Sequence, residues 1–170
     1  EGNICTRTLE RLKDGTGLIV IDPMRTLLAE KARYWLQLRP GTDNALALAL
    51  LNVIINEKLY DIDFVDKWTY GFTEFSNHIM EYTPEKMSEI TWVPAPLIRD
   101  AARAYALAKP ASILWGNALE QNINAFDTLR AVVCLMAISG NLDVPGGNIQ
   151  ANEPDLLRLG KLVRADMLPS

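Results

Sequence analysis

Residues 39–51 have the sequence Arg-Pro-Gly-Thr-Asp-Asn-Ala-Leu-Ala-Leu-Ala-Leu-Leu, a tight turn followed by a run of strong helix formers. Pro40 fixes the backbone, Gly41 permits a positive φ, and Thr42 or Asp43 can cap a helix. Strict Ala/Leu alternation is also typical of a strand, but the length of the run favours a helix over 42–57. The first turn of such a helix presents unpaired N–H groups and a positive dipole end, which suit an anion.

The stretch before this turn, residues 17–23, is Gly-Leu-Ile-Val-Ile-Asp-Pro. Four branched apolar residues between Gly and Pro predict a strand over 18–21 that is covered on both faces. Because ligands bind at the carboxyl ends of parallel strands, Asp22 is a candidate to accept a hydrogen bond from a ribose hydroxyl. Thr26, which follows Pro23 at the start of a short predicted helix over 26–33, is a candidate to donate to a phosphate or ribose oxygen. The alternative for both side chains is ordinary capping.

In the rest of the chain, the spacing of apolar residues and the positions of Gly and Pro predict alternating helices and short strands. The first half adds a helix over 4–13 and a strand over 35–38. The polar and aromatic stretch 60–91 predicts a helical connection, with helices at 61–69, 72–80 and 84–90. A second unit then follows, with a helix from Pro94 to Lys109, a strand over 111–115, a turn over 116–124 and a helix that ends at Gly140. An apolar stripe is expected on that last helix at Phe126, Leu129, Val133 and Met136.

This order of elements predicts an α/β fold made of parts of two Rossmann-like parallel-sheet units joined by a helical connection. Residues 1–57 are expected to be the C-terminal part of the first dinucleotide-binding unit. The predicted helical connection is 58–93, and the second dinucleotide-binding unit is 94–147. Residues 148–170 are expected to form a tail that packs on another domain, because they contain no convincing core element of their own.

Composition excludes several classes of function. The chain has 170 residues, 49% of them hydrophobic, a formal net charge of −4 and a pI near 5.0. Without a basic patch, binding of nucleic acid through phosphate neutralisation is not expected, and no apolar run reaches the ~20 residues that a membrane span needs. Cys5 and Cys134 are isolated thiols, so neither a zinc nor an iron–sulfur site is predicted. His78, the only histidine, lies away from every ligand-like turn and is given no role.

A second set of turns is a candidate ligand site. Trp115, Gly116, Asn117 and Gln121 form the turn after the predicted strand 111–115, where glycine permits close approach and the amides can hydrogen-bond a ring edge. Trp115 is more often a core aromatic than a stacking platform. Further on, Pro145, Gly146, Gly147 and Asn148 predict a loop that either approaches a ligand or is an ordinary turn.

These motifs, in this order, resemble the central region of the molybdopterin oxidoreductases of the dimethyl sulfoxide reductase type. That region has a strand ending in Asp-Pro-Arg-x-Thr and then Arg-Pro-Gly-Thr-Asp-x-Ala-Leu, and Met24 stands here where relatives usually carry arginine. The later motifs of the family also recur: Asp-x-x-Phe-Val at 61–65, Lys-Pro-Ala at 109–111, Trp-Gly-Asn at 115–117, and Gly-Asn-Leu-Asp-x-Pro-Gly-Gly at 140–147. The resemblance covers residues 18–148.

The resemblance implies a cofactor and a set of residues that hold it. The expected cofactor is bis-molybdopterin guanine dinucleotide with Mo or W, and a [4Fe–4S] cluster is expected only in an N-terminal part outside this chain. Asp43 is expected to bind guanine, because a carboxylate accepts two parallel hydrogen bonds from guanine N1–H and N2–H₂ but meets an acceptor on adenine. The cofactor-binding residues implied are Asp22, Pro23, Thr26, Gly41, Thr42, Asp43, Trp115, Gly116, Asn117, Gln121, Gly146 and Gly147.

The function implied is two-electron redox chemistry of the formate dehydrogenase or anaerobic reductase type, catalysed by a larger parent protein. No catalytic residue and no protein metal ligand is expected within this chain, which alone should be inactive. Expected partners are the remaining domains of its own polypeptide and an iron–sulfur electron-transfer subunit, in the cytoplasm or the periplasm of a prokaryote. Two alternatives remain open: a non-catalytic electron-transfer subunit that lacks the metal cofactor, and a non-redox pterin enzyme such as a hydratase.

Overall fold

The computed structural model of the protein describes residues 2–149, which form nine helices and one two-stranded sheet. The strands are β1 (Ile19–Ile21) and β2 (Tyr34–Leu36). The helices are α1 (Gly2–Lys13), α2 (Leu27–Lys31), α3 (Asp43–Asn56), α4 (Ile62–Trp68), α5 (Phe72–Ile79), α6 (Pro84–Thr91), α7 (Ala95–Leu107), α8 (Asn117–Glu120) and α9 (Ala125–Ile138). The predicted α/β class is confirmed.

The sheet is parallel, as predicted, and pairs Ile19 with Tyr34 and Ile21 with Leu36. The connection between the strands contains α2, which begins where Thr26 Oγ1 accepts a hydrogen bond from the Ala29 backbone N–H at 3.2 Å. The prediction that the first strand is covered on both faces is wrong for the described residues. β1 is only partly buried, and Ile21 is 44% exposed, because within residues 2–149 its main neighbours are β2 on one edge and the five-residue helix α2.

The core of the molecule is built around α3, which packs against α5, α6, α7 and α9. This helix is apolar on nearly every side, as expected for a helix that other helices surround. Nine consecutive or near-consecutive positions of α3 are buried: Leu46, Ala47, Ala49, Leu50, Leu51, Asn52, Val53, Ile54 and Ile55. The helix prediction for this run is therefore confirmed, and burial on all sides explains why its sequence has no clear polar face.

The three helices predicted at 61–69, 72–80 and 84–90 are also confirmed, as α4, α5 and α6. Polar side chains start two of these helices: Asp61 Oδ1 accepts from the Phe64 N–H at 2.9 Å, and Thr83 Oγ1 accepts from the Lys86 N–H at 3.4 Å. Such caps satisfy N–H groups that have no partner within the helix.

Two predictions for the second half are wrong. Residues 111–115 form no strand within the described part of the chain, because asparagine side chains, not a neighbouring strand, pair with their backbone. The apolar stripe predicted on α9 is wrong in part, because Met136 is buried as predicted but Phe126 is 77% exposed and Val133 is 46% exposed. The face that the helix buries is a neighbouring one, and it includes one polar side chain, that of Thr128. The buried residues are Thr128, Ala131, Val132, Leu135, Met136 and Ile138.

One continuous cluster of buried side chains extends from Leu36 on β2, through α3 and α7, to Ile138 at the end of α9. Both predicted units therefore contribute to the same core. The domain limits given above stay a prediction. Residues 150–170, most of the predicted tail, lie outside the described residues.

Candidate functional site

The first candidate site lies where the two parallel strands end. Asp22 follows β1 directly, and its backbone N–H still donates to the Leu36 carbonyl at 3.3 Å. The Asp22 carbonyl accepts from Trp35 Nε1 at 2.9 Å, and the Pro23 carbonyl accepts from Gln37 Nε2 at 3.1 Å. The backbone of the Asp22-Pro23 corner is thus fixed by β2, at the sheet edge where ligands bind in α/β folds.

The two threonines of this region have local roles in the chain. Thr26 caps α2, which was the alternative considered for it, although its hydroxyl proton is still available to donate. Thr42 is the residue before α3, but its hydroxyl does not cap that helix. Instead Thr42 Oγ1 donates to the Arg39 carbonyl at 2.6 Å, and so does the Thr42 N–H at 3.2 Å. These bonds close the turn over 39–42.

Gly41 has the positive φ that the sequence predicted, +80°, and a Cβ built on it would meet no atom within 4 Å. The turn is therefore open to solvent above its glycine. It is also anchored from below, because the Arg39 N–H donates to the Thr91 carbonyl at 2.8 Å and the Arg39 guanidinium lies 5.3 Å from the centre of the Trp92 ring. This anchor at the end of α6 was not predicted, since contacts so distant in sequence leave no periodic signal.

Asp43 is the first residue of α3 and is half-buried. Burial raises the pKa of its carboxyl above the usual range, and a hydrogen bond from its own backbone N–H acts in the opposite direction. No other hydrogen bond or ion pair reaches this carboxylate from residues 2–149. The backbone N–H groups of Asn44 and Ala45 likewise donate to no acceptor in that part of the chain. A desolvated carboxylate thus lies beside unpaired helix N–H groups.

The second candidate site is the segment between α7 and α9. Trp115 is 40% exposed, and its Nε1 donates to Glu120 Oε1 at 3.1 Å across the four-residue helix α8. Gly116 precedes α8, Asn117 begins it and Gln121 follows it, and all three are exposed. The structure therefore gathers these four predicted residues in one exposed turn.

Contacts within the chain explain why residues 146 and 147 are glycines. Gly146 has φ +83°, and an added Cβ would lie 2.7 Å from Pro110 Cγ. A Cβ on Gly147 would overlap the Asn141 carbonyl oxygen and lie 2.8 Å from Val144 Cγ2. These contacts favour the ordinary turn, which was the alternative considered for this loop.

Two asparagines that the predictions did not use as site residues hold this region together. Asn141, which is 1% exposed, accepts from the Ala111 N–H at 2.9 Å through Oδ1. Asn148 accepts from the Ile113 N–H and donates to the Ile113 carbonyl, both at 2.8 Å. The motif 140–147 contains Asn141, so the sequence marked the region without revealing this contact.

The described part of the chain has neither a cluster of metal-ligating side chains nor a helix that could cross a membrane. In residues 2–149, no three His, Cys, Asp or Glu side chains come together as metal ligands would. No helix in the same part is both long and apolar enough to cross a bilayer. Cys5 and Cys134 are free thiols, and burial raises the pKa of Cys134, whose side chain packs against the core.

Comparison with known proteins agrees with this arrangement. Residues 2–167 match the molybdopterin oxidoreductase family. The chain belongs to this family. Acetylene hydratase of Syntrophotalea acetylenica is 43% identical over 158 residues, which are 93% of this chain and 22% of that protein. Formate dehydrogenase H of Escherichia coli is 38% identical over 146 residues, which are 86% of this chain and 20% of that protein.

A solved structure of acetylene hydratase from Pelobacter acetylenicus is similar to this molybdopterin oxidoreductase chain with a TM-score of 0.75 and 48% identity, over 76% of this chain and 18% of that one. The family and the fold class predicted from the motifs are thus confirmed. The chain spans about a fifth of the length of these relatives. It therefore corresponds to one segment of a molybdopterin oxidoreductase.

Proposed function

We propose that this chain is the part of a catalytic subunit that binds pyranopterin guanine dinucleotides carrying Mo or W, and that Asp43 binds a guanine. The observation that supports this most directly is the half-buried Asp43 carboxylate, which has only its own backbone N–H as a partner in residues 2–149. A carboxylate that loses solvation without gaining a partner is destabilising unless a ligand supplies the hydrogen bonds.

Guanine has the complementary edge. Its N1–H and N2–H₂ donate in parallel to the two oxygens of one carboxylate, whereas adenine presents an acceptor at the corresponding ring nitrogen. A buried carboxylate facing that acceptor leaves a hydrogen bond unmade, which costs about 1–3 kcal/mol. The open space above Gly41 leaves room for a base to reach Asp43.

Other polar groups after β1 and at the start of α3 are of the kinds that bind a nucleotide. Asp22 uses Oδ1 to accept from the Met24 N–H at 2.7 Å, which leaves Oδ2 to accept from a ribose hydroxyl. Thr26 can donate its hydroxyl proton, and the unpaired N–H groups of Asn44 and Ala45 suit a phosphate. The turn with Trp115, Gly116, Asn117 and Gln121 is proposed for the second dinucleotide, because it is exposed and rich in amide groups.

The metal–pterin group supplies the electron-transfer or Lewis-acid chemistry, and the residues described here bind and orient it. No catalytic residue or metal ligand is assigned within this chain. The protein metal ligand, a [4Fe–4S] cluster and the contacts to an iron–sulfur subunit are proposed for other parts of the parent protein.

The remaining domains of the parent protein are proposed to cover the apolar side chains that this segment exposes. Phe126 and Val133 on α9, and Leu114 before α8, are large apolar side chains that are 77%, 46% and 72% exposed. Exposed apolar surface of this kind often marks an interaction site. The proposed limits of the two dinucleotide-binding units, 1–57 and 94–147, put this surface on the second unit.

The first experiment is elemental analysis for Mo and W, with a fluorescence assay for released pterin, on the full-length parent protein purified anaerobically. One metal to about two pterins per polypeptide is expected. Well-folded protein with iron but neither metal nor pterin would contradict the proposal and favour the non-catalytic electron-transfer subunit. The retained Arg-Pro-Gly-Thr-Asp turn argues against that alternative, since a protein without the dinucleotide has no use for those groups.

Hydration is a second candidate reaction, because the chain is 43% identical to an acetylene hydratase. A hydratase adds water without net electron transfer, so the two reactions are separable by one pair of assays. Formate-dependent reduction of a viologen dye by the loaded parent protein indicates redox catalysis. Acetaldehyde formed from acetylene without dye reduction indicates hydration.

A further inference from the structure

We infer that Asn141 and Asn148 are positioning residues that set the turn 115–117 of the second dinucleotide site. This inference rests on the proposed function, because the turn matters only where it meets a cofactor. The two asparagines replace the neighbouring strand that residues 111–115 would otherwise need. They fix the position of residues 111–113, which lead directly into the exposed turn at 115–117.

The hydrogen bonds of Asn148 imitate those of a strand partner. Its side chain accepts from the Ile113 N–H and donates to the Ile113 carbonyl, both at 2.8 Å. Two residues in an antiparallel sheet exchange the same pair of bonds. Only a side-chain amide has both a donor and an acceptor in this geometry, since a carboxylate has two acceptors and an ammonium has only donors.

Asn141 repeats the contact two residues earlier, where Oδ1 accepts from the Ala111 N–H at 2.9 Å. Because backbone groups two residues apart point the same way in an extended chain, both asparagines bind the same edge of 111–113. Ser112 and Leu114 are exposed, and their backbone N–H groups donate to no acceptor within 2–149. One edge is thus fixed and the other is left uncovered.

The asparagines are themselves held firmly. Asn141 Nδ2 donates to Ser139 Oγ at 3.1 Å, and the Asn141 carbonyl accepts from the Asn148 N–H at 2.8 Å. The Asp143 N–H in turn donates to the Asn148 carbonyl at 2.7 Å. Gly147 lies against the Asn141 carbonyl, where a side chain has no room. The loop 141–148 is therefore a rigid support and not a flexible cover.

The distance between support and site is short. Gly116 is the third residue after Ile113, which at full extension corresponds to about 10 Å of chain. A displacement of Ile113 is therefore transmitted to Trp115 and Gly116 with little slack. Misplacement of a binding group by about 1 Å can cost on the order of 100-fold in function.

The test uses the full-length parent protein with its native cofactor. Asn148→Ala removes both bonds to Ile113, and Asn148→Asp keeps the shape of the side chain but cannot donate when ionised. Asn77→Ala is the matched control. Asn77 is exposed on α5, far in sequence from this loop, and its side chain makes no hydrogen bond within residues 2–149. Three quantities are measured for each variant: the Tm, the deuterium uptake of the peptide covering 111–115, and the rate at which pterin is released.

Both Asn148 variants are expected to exchange the Ile113 amide, the one in 111–115 that Asn148 binds, about tenfold faster and to release pterin about tenfold faster, with the uptake of α3 unchanged. Because the lost hydrogen bonds also contribute to stability, the Tm is expected to fall by roughly 2–4 °C. The control should match the wild type in all three quantities. If an Asn148 variant exchanges 111–115 faster but releases pterin at the wild-type rate, the inference is overturned while the proposed function stands. A wild-type parent protein without pterin overturns the proposed function and, with it, this inference. Asn148→Asp keeps the test decisive if Asn148→Ala fails to fold.

Discussion

Lys109 Nζ lies 3.1 Å from Asp61 Oδ2, and this ion pair joins the chain entering 111–115 to the start of α4. Asp61 has further partners, because its Oδ1 caps α4 and its N–H donates to the Ile138 carbonyl at 2.7 Å. The Phe64 N–H, and then Lys109, hold the pKa of the Asp61 carboxyl below its usual range. One residue thus connects α4, the end of α9 and the segment that leads to the second site: its carboxylate makes the cap and the ion pair, and its backbone N–H makes the bond to α9.

We expect Asp61→Asn to destabilise the 170-residue chain by about 1 kcal/mol at pH 7, because the cap weakens and the ion pair is lost. Since folding lowers the pKa of Asp61, its contribution is present above the unfolded-state pKa of about 3.9 and is lost as the pH falls toward the folded-state pKa. Urea unfolding at pH 7 and near pH 3 measures this. If the free energies of unfolding of the wild type and Asp61→Asn differ as much at pH 3 as at pH 7, the prediction is contradicted.

Local sequence rules predicted the elements of this fold well. The run over 42–57, the strand over 18–21 and the three helices of the connection depend on short-range signals: helix formers, branched apolar residues and caps. The structure places α3, β1, α4, α5 and α6 within one or two residues of those limits. The positive φ of Gly41 was predictable for the same reason, since it depends only on the turn.

The misjudged features depend on contacts distant in sequence. Residues 111–115 have the composition of a strand, but their partners are Asn141 and Asn148, at least 30 residues further on. The burial of β1 depends on which elements cover it, and Phe126 has helical spacing without a neighbour to bury it. Periodicity shows which side chains can share a face. It does not show which face another element covers.

The buried amide of Asn52 gives a prediction for the core. Asn52 is 2% exposed in the middle of α3, and its Nδ2 donates to the Ile79 carbonyl at 2.9 Å. Asn52→Leu leaves that carbonyl without its donor, so we expect a loss of about 1–3 kcal/mol in the free energy of unfolding. The matched control is Asn77→Ala on the neighbouring helix α5, because Asn77 is exposed and its side chain makes no hydrogen bond within residues 2–149.

Urea unfolding of the wild type and the two variants measures the loss in the free energy of unfolding that each substitution causes. Asn77→Ala should cost well under 1 kcal/mol, because the removed amide is solvated and leaves no buried group without its partner. If Asn52→Leu is as stable as the wild type, then hydrophobic packing at this position compensates for the lost bond, and the amide is not required for the junction of α3 and α5.

The glycines of the loop 141–148 give a prediction about packing. In Gly147→Ala the new methyl group would overlap the Asn141 carbonyl oxygen and lie 2.8 Å from Val144 Cγ2. Both neighbours belong to a loop that its own backbone hydrogen bonds hold, so we expect a loss of about 1–3 kcal/mol. Gly17→Ala is the control, because its Cβ would meet no atom within 4 Å and its φ is not positive.

Thermal unfolding of both variants is the measurement. Gly17→Ala is expected to be neutral or slightly stabilising, since alanine narrows the conformations of the unfolded chain. Equal Tm values for the two variants would show that the loop moves aside at little cost, and Gly147 would then have to be explained by a ligand.

Asp43 gives the prediction that separates binding from folding. Because burial raises the pKa of this carboxyl, its ionised form weakens the folded chain at neutral pH. The sign follows from linkage: a raised pKa contributes stability that is present below the unfolded-state pKa and is lost as the pH rises through the folded-state pKa. Asp43→Asn should therefore leave the stability of the 170-residue chain unchanged or higher at pH 7, with no gain near pH 3.

In the full-length parent protein, the same substitution is expected to lower the pterin and metal content by on the order of tenfold. The asparagine amide presents one acceptor and one donor where guanine requires two acceptors, so one hydrogen bond is lost and a donor faces N1–H. Asn44→Ala is the neighbouring control, because it changes the adjacent side chain and leaves both the carboxylate and the backbone N–H groups in place. Full cofactor content in Asp43→Asn would exclude a guanine contact at Asp43, whereas a large loss of stability would show that the carboxylate serves the fold.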